Sequence, residues 1–285
     1  MQAYVDGFLD DVGGDRMDVI ADLAAPLPVN VIGMMLGIPE ADRAQFRPWT
    51  ERVFAIFSSG TAVPETVAAG RECLEEMRSY LGALINERRR DPQDDLISRF
   101  VGISEAGETL TNDDVLTNCV TLYTAGHETT TGAIGNSLFA LLRHAEQLER
   151  LRREPSLIDV GIDELMRYDA SLQRGWRIAA SDVERGGVMI RAGDMVSPMI
   201  GAANRDPEQF ESPYLLDLAR RPNRHLTFGQ GMHYCVGAML AEMEVTVAIS
   251  TLISRFRTIE AIEDEIVWGA DMTFRSMRSL PVRVG

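Results

Sequence analysis

The stretch that decides the fold is FGQGMHYCVG, Phe228 to Gly237. A cysteine closes a glycine-rich loop, and Val236, Leu240, Met243 and Val247 then recur at helical spacing. The spacing predicts Cys235 at a helix N-terminus, where the macrodipole and free backbone N–H groups favour an anion and ease ionisation of a thiol. A thiolate is a soft, electron-rich ligand for iron, and haem iron held by one is biased toward O–O cleavage. Gly229, Gly231 and Gly237 let the backbone wrap closely around a flat ligand, with Phe228 placed to shield the sulfur. The competing reading is a structural cysteine behind a turn, since a lone Cys commonly behaves as a small hydrophobe.

A second constellation lies upstream. Thr111 and Asp114 match the capping box that opens a helix. From there to Arg143 the sequence is apolar on nearly every face, which predicts a helix buried in the middle of a large domain. Inside it stands Ala125-Gly126-His127-Glu128-Thr129-Thr130. A glycine and a charged residue are both costly in such a helix. Gly126 permits a local opening of the helix or a flat ligand against its backbone. Glu128 beside Thr129 sets an acid next to a hydroxyl where water is scarce, the equipment for relaying protons. The alternative is a threonine bonded back to its own helix and a glutamate reaching solvent.

Both stretches resemble the cytochrome P-450 family of soluble bacterial haem-thiolate monooxygenases. Phe228, Gly231, His233, Cys235 and Gly237 fill its haem-loop pattern, and Ala125 to Thr130 resemble its oxygen-activation motif. Glu164 and Arg167, i and i+3 on one helix face, match its Glu-x-x-Arg pair, and the three motifs follow the family's order. The resemblance implies haem b, with Cys235 as axial iron ligand and Arg177 and His233 at the propionates. It implies that Phe228, Gly229, Gly237, Ala125 and Gly126 line the cofactor. Thr129 is then the residue that stabilises the bound oxygen species, and Glu128 the relay acid. His127 fills the motif's variable position and is assigned no ligand role. Leu122, Leu172, Gln173, Trp176, Met272, Thr273 and Phe274 are expected to line the substrate pocket, with Arg174 interspersed. The substrates implied are O2 and a small apolar molecule of terpenoid, steroid or polyketide type, with electrons from NAD(P)H through a reductase and a ferredoxin.

Two residues depart from the pattern. Leu215 stands where the family often has an arginine joining the Glu-Arg pair, with Arg220 as a candidate substitute. Glu242 stands where an arginine usually faces the electron donor, which weakens docking of an acidic ferredoxin. Complete members also carry a long portion ahead of the point matching Met1, so the chain reads as N-terminally incomplete. The alternative function is a truncated, non-catalytic member that binds haem weakly or not at all and acts as a partner or scaffold.

The expected architecture is mainly α with small β-sheets, one domain over residues 1–285. Residues 16–170 form its helical part, and 171–285 hold the β-rich region, an irregular meander, the cysteine loop and the helix after it. Helices are expected over 16–37, interrupted by Pro26 and Pro28 and stopped by Gly37; over 41–57; over 64–90, stopped by Asp91-Pro92; within 93–110, with a turn at Gly107; and over 145–153, 156–169 and 235–254. Residues 58–63 read as a loop. Strands are expected at 177–179, 188–190 and 195–197, and as a C-terminal pair, 267–279 with 280–284.

The chain has 285 residues, 45% of them hydrophobic, enough for a sizeable core. No run of 18 apolar residues predicts a membrane span, and the acidic start MQAYVDGFLDDV is unlike a signal peptide. Cys73, Cys119 and Cys235 are too scattered for a disulfide framework, which fits a reducing cytoplasm. A formal net charge of −15 argues against nucleic acid or an anionic membrane as partner, although Arg88 to Arg90 and Arg220, Arg221 and Arg224 form local basic clusters.

Overall fold

The computed structural model describes residues 1–58, 63–106 and 110–285. In chain order the elements are α1 (Gln2–Asp10), β1 (Arg16–Asp18), a π-helical turn (Ile20–Ala24), α2 (Pro26–Leu36), α3 (Glu40–Arg43), α4 (Phe46–Ser58), α5 (Pro64–Arg90), α6 (Leu96–Glu105), α7 (Asn112–Arg143), α8 (Ala145–Arg153) and α9 (Ile158–Tyr168). Then follow β2 (Arg177–Ile178), β3 (Val183–Arg185), β4 (Val188–Ile190), β5 (Met195–Val196), α10 (Ile200–Ala203), α11 (Ala238–Arg255), β6 (Ile259–Ala261), β7 (Val267–Trp268), β8 (Met277–Ser279) and β9 (Pro281–Val284). Helices dominate and the sheets are small, as the sequence predicts.

The axis of the fold is α7. Thr111 caps it with a reciprocal box: the Asp114 N–H donates to the Thr111 hydroxyl at 3.2 Å, and the Thr111 N–H to the Asp114 carboxylate at 2.8 Å. Its first half, through Val115, Cys119 and Tyr123, packs with α2, α5 and α6 in one apolar core. Its second half, from Ala133 to Leu141, packs with α1, α9, α11 and the C-terminal strands in another. The close approach there needs small residues. A Cβ on Gly132 would stand 2.9 Å from the Ser171 side chain, and one on Gly135 2.6 Å from Ile20. Residues 124–132 lie in neither core, so the helix carries its polar motif across the gap between them.

Local outcomes differ from the sequence reading in several places, and α1 and β6 were not foreseen. Residues 16–37 form a strand, a π-helical turn and then α2, because Pro26 and Pro28 fall in the first turn of a new helix, where a missing N–H costs nothing. The stretch 41–57 breaks at Ala44 and Gln45 into α3 and α4. Strand β3 was not foreseen; it pairs with β4 across Gly186 and Gly187, whose φ of +55° and +77° the turn requires. The C-terminal segment does not pair as one hairpin: β9 lies between β1 and β6 in an antiparallel sheet, while β7 pairs with β8. The expected loop at 58–63 and the turn at Gly107 fall mostly or wholly outside the described residues. Among the described residues, no helix is long and apolar enough to cross a membrane.

Candidate haem-thiolate site

The cysteine loop is anchored from behind by a buried charge cluster on α9. Glu164 and Arg167 are both fully buried, with Arg167 Nε and Nη2 donating to the carboxylate at 2.7 and 2.8 Å. The same carboxylate accepts from Arg220 Nε at 3.0 and 3.1 Å, the Asp217 N–H at 3.0 Å and the Asn223 amide at 3.1 Å. Arg167 Nη1 turns to the Asn204 and Pro213 carbonyls at 2.8 and 2.9 Å. Asn204 accepts the Leu226 N–H at 2.7 Å and donates to the Thr227 hydroxyl, which bonds the Met166 carbonyl. The irregular stretch 203–230 is thus wrapped around one ion cluster. Arg220 shares the Glu164 carboxylate with Arg167, and its Nη2 also bonds the Leu215 carbonyl at 3.2 Å.

This wrapping delivers the chain to Phe228 in a fixed position. Gly229 and Gly231 turn it at φ of +73° and +75°, a region costly for side chains other than glycine. The Cys235 N–H closes the loop on the Phe228 carbonyl at 2.9 Å. Helix α11 begins at Ala238 with Gly237 as its N-cap, so Cys235 precedes the cap by two residues instead of standing in the first turn. A Cβ on Gly237 would lie 4.0 Å from Cys235 Sγ. Of the three cysteines, Cys73 and Cys119 are buried and Cys235 is exposed. Phe228 is half-buried, with its ring centroid 6.4 Å from that of Tyr234.

The second half of the site is the middle of α7. Ala125 is exposed, and Leu122, Glu128 and Thr129 are half-buried, although residues 130–138 are buried without a break. Among the described residues, a Cβ on Gly126 would meet only Ile32, at 3.9 Å, so their packing does not demand this glycine. The backbone stays α-helical throughout, without the local opening that the glycine permits. Thr129 donates its hydroxyl proton to the Ala125 carbonyl at 2.8 Å. Burial, the largest influence on Glu128, pushes its carboxyl up; Arg278 and Arg47 pull it down, and Glu51 and Asp271 push it up further.

These residues fit a haem. One exposed soft donor stands on a loop held from behind, Gly126 has room against its backbone, and the face left open by Thr117, Asn118 and Thr121 in the first half of α7 runs on to Ala125 and Thr129 before the helix is buried, so α7 is not buried on every face along its whole length as the sequence predicts. Arg177 is exposed, with Nη1 on its neighbour's carbonyl, the Trp176 oxygen, at 2.7 Å. His233 is also exposed, and neither has a carboxylate partner among the described residues. Both donors are available to propionates.

The pocket residues divide. Leu172 bridges Phe274 as an isolated antiparallel pair, and the Gln173 N–H bonds the Thr273 carbonyl at 2.8 Å. Trp176 is half-buried and Met272 exposed. Thr273 is 0% exposed and its hydroxyl accepts from Arg174 Nε. The Gln173 amide is likewise tied to the Ala170 carbonyl. Sequence reasoning missed α4, whose Phe54 meets Phe274 edge-to-face at 4.8 Å and whose Arg47 and Glu51 act on Glu128. Residues 47, 50, 51 and 54 recur at helical spacing, which marks one face of the expected helix but not what that face meets.

Comparison with known proteins agrees with this geometry. The family model described as Cytochrome P450 matches residues 50–267. Cytochrome P450 CYP107DY1 of Priestia megaterium is 40% identical over 284 residues, covering 99% of this chain and 68% of the relative. The biotin biosynthesis cytochrome P450 of Bacillus subtilis is 38% identical over 275 residues, covering 96% of this chain and 69% of the relative. The crystal structure of P450BioI in complex with acyl carrier protein ligated to hexadec-9Z-enoic acid superposes with a TM-score of 0.94 at 37% identity, over 100% of this chain and 73% of that one. CYP109E1 from Bacillus megaterium in complex with corticosterone gives 0.90 at 32% identity, over 99% and 76%. With a thiol loop, an acid–alcohol helix and a Glu-x-x-Arg anchor in one fold, the chain belongs to the cytochrome P450 family, whose cofactor is haem b.

Proposed function

We propose that this chain is the catalytic body of a haem-thiolate monooxygenase that inserts one oxygen atom of O2 into a small apolar molecule. One observation carries the reading: the exposed Cys235 thiol sits on a loop whose approach is pinned, residue by residue, to the buried Glu164–Arg167–Arg220 cluster. When bound, the haem supplies the oxygen chemistry, and the protein orients it and controls protons. Cys235 Sγ would be its axial donor. Arg177 and His233 would hold the propionates, and Ala125, Gly126, Phe228, Gly229 and Gly237 would border the ring.

The proton chemistry belongs to α7. The raised Glu128 carboxyl keeps its proton to higher pH than an ordinary glutamate, so it can hand one on. Thr129 has spent its own proton on the Ala125 carbonyl, which leaves its oxygen free to accept a hydrogen bond. Acid and acceptor are therefore adjacent on the open face of α7.

For the substrate, an apolar wall of Leu122, Leu172, Trp176, Met272, Phe274 and Phe54 supports a terpenoid-, steroid- or polyketide-like molecule. Related proteins are described with corticosterone and in polyketide biosynthesis, which supports the same class. Electrons come from NAD(P)H through a reductase and a ferredoxin. Glu242 on α11 is half-buried, and burial followed by Asp163 pushes its carboxyl up; a carboxylate at this position opposes docking of an acidic donor. The setting is cytoplasmic.

Haem stoichiometry of the purified 285-residue chain tests the proposal. Full occupancy, a thiolate-type red-shifted Soret band in the ferrous CO complex and spin shifts with apolar ligands are expected. A chain that folds yet takes up no haem would favour the non-catalytic scaffold instead.

A further inference from the structure

His127 and Thr50 form a buried junction between α7 and α4. They are 1% and 0% exposed, and Thr50 Oγ1 lies 2.8 Å from His127 Nδ1. The Thr50 hydroxyl donates to the Arg47 carbonyl at 2.9 Å. A hydroxyl has one proton to give, so toward His127 it accepts and Nδ1 carries the hydrogen. Nε2 is then a bare lone pair, buried and without a hydrogen-bond partner among the described residues. Burial, with Arg47 adding repulsion, pushes the imidazole down to about 4, so the ring is neutral at neutral pH. Its one bond is spent on holding the two helices together.

Thr50 stands between Arg47 and Glu51, which form an i,i+4 ion pair at 3.1 Å. His127 stands next to Glu128. The charged groups around that carboxyl are Arg47 and Glu51 on α4, Arg278 on β8 and Asp271 on the preceding loop. Two of the four thus come from the helix that the junction holds.

We infer that His127 is a positioning residue for Glu128: its Nδ1–H bond to Thr50 seats α4 against α7 and so fixes where Arg47 and Glu51 stand beside the acid. This deepens the proposed reading of Glu128 as the relay acid, yet the placement can be measured without turnover.

The test is a carbon-13 NMR titration of the full chain carrying labelled glutamate carboxyls, with Glu128 assigned by its loss in Glu128→Gln. Thr50→Val removes the acceptor and keeps the shape. The Glu128 midpoint is expected to fall by about half a pH unit or more, because a loosened α4 admits water to a carboxyl whose burial had raised it. Thr50→Ser returns the midpoint to that of the parent. A midpoint unchanged in Thr50→Val overturns the inference, whatever happens to thermal stability. The unaltered chain gives a second check. Its His127 nitrogen-15 shifts should report the neutral Nδ1–H tautomer down to about pH 4, and a neutral Nε2–H tautomer would overturn it too. Neither readout depends on catalysis, so failure of the monooxygenase reading and failure of this placement give different results.

Discussion

Arg220 reaches back 56 residues to share the Glu164 carboxylate with Arg167, its Nε lying 3.0 and 3.1 Å from the two oxygens. The contact ties the far end of an irregular meander to the helix that precedes it. Arg220 also donates to the Glu211 carbonyl at 2.7 Å, so one side chain holds both the carboxylate and the loop that covers it.

Replacing Arg220 by leucine should therefore cost more than a surface ion pair. The carboxylate would remain buried with less than its full complement of donors, a loss of about 3 kcal/mol or more in unfolding free energy. Arg220→Lys should recover part of it, since an ammonium restores the charge without the planar fork. Urea unfolding of the three proteins gives the ordering. Equal stability of parent and leucine variant would show that the meander holds without this contact.

How much of this the sequence disclosed depends on whether a feature is local. The capping box at Thr111 and Asp114, the stop of α5 at Asp91-Pro92 and the glycine turn at 186–187 are written in neighbouring residues, and all three formed. Strands β1 and β6 were not legible, because each is three residues long and exists only through pairing with β9. The setting of Thr273 was not legible for a related reason. The resemblance places it beside Phe274 at the pocket, but its burial and its bond from Arg174, 99 residues away, depend on the tertiary fold. Arg220 was only a candidate on paper, since nothing in its flanking residues announces Glu164. Placing α4 at the site required knowing that Thr50 meets His127, 77 residues on.

Cys235→Ser should separate the ligand role from a structural one. The thiol is exposed, and the loop is closed by the backbone N–H of residue 235, so without haem the serine variant should keep the parent's unfolding midpoint. It should lose the thiolate-type Soret band of the ferrous CO complex entirely. Retention of that band would move the iron ligand away from Cys235.

Glu244 on α11 makes a prediction about pH. It is 2% exposed, and burial pushes its carboxyl up to about 8, with the chain's amino terminus offsetting part of the shift. The folded state then keeps a proton that the unfolded chain releases above about pH 4.3, so stability falls as pH rises from there toward 8. At about 1.4 kcal/mol per pH unit, the full window is worth on the order of 5 kcal/mol. Glu244→Gln should remove this slope. Compared with the parent, its unfolding free energy should improve between pH 5 and pH 8. A constant gap between the two proteins at both pH values would mean that the carboxyl ionises freely in the fold.

Thr129→Ala tests the proton role of α7. The parent hydroxyl is bonded back to its own helix at the Ala125 carbonyl, the very arrangement that a purely structural threonine would show. The two readings differ in what the oxygen atom does next. If the bond to Ala125 is its whole role, alanine should leave catalysis alone, because a helix loses little when a back-bonded threonine is removed. If its lone pairs receive a hydrogen bond during turnover, haem uptake and substrate binding should stay near parental while oxygen is still consumed. A larger share of that oxygen should then leave as peroxide instead of product. Glu128→Gln should act differently and slow oxygen consumption itself, because it removes the proton source and not the acceptor. The measurement is peroxide and product formed per oxygen consumed, made side by side on parent, Thr129→Ala and Glu128→Gln. A Thr129→Ala protein that couples oxygen to product as tightly as the parent would return Thr129 to its structural role and leave Glu128 to act without it.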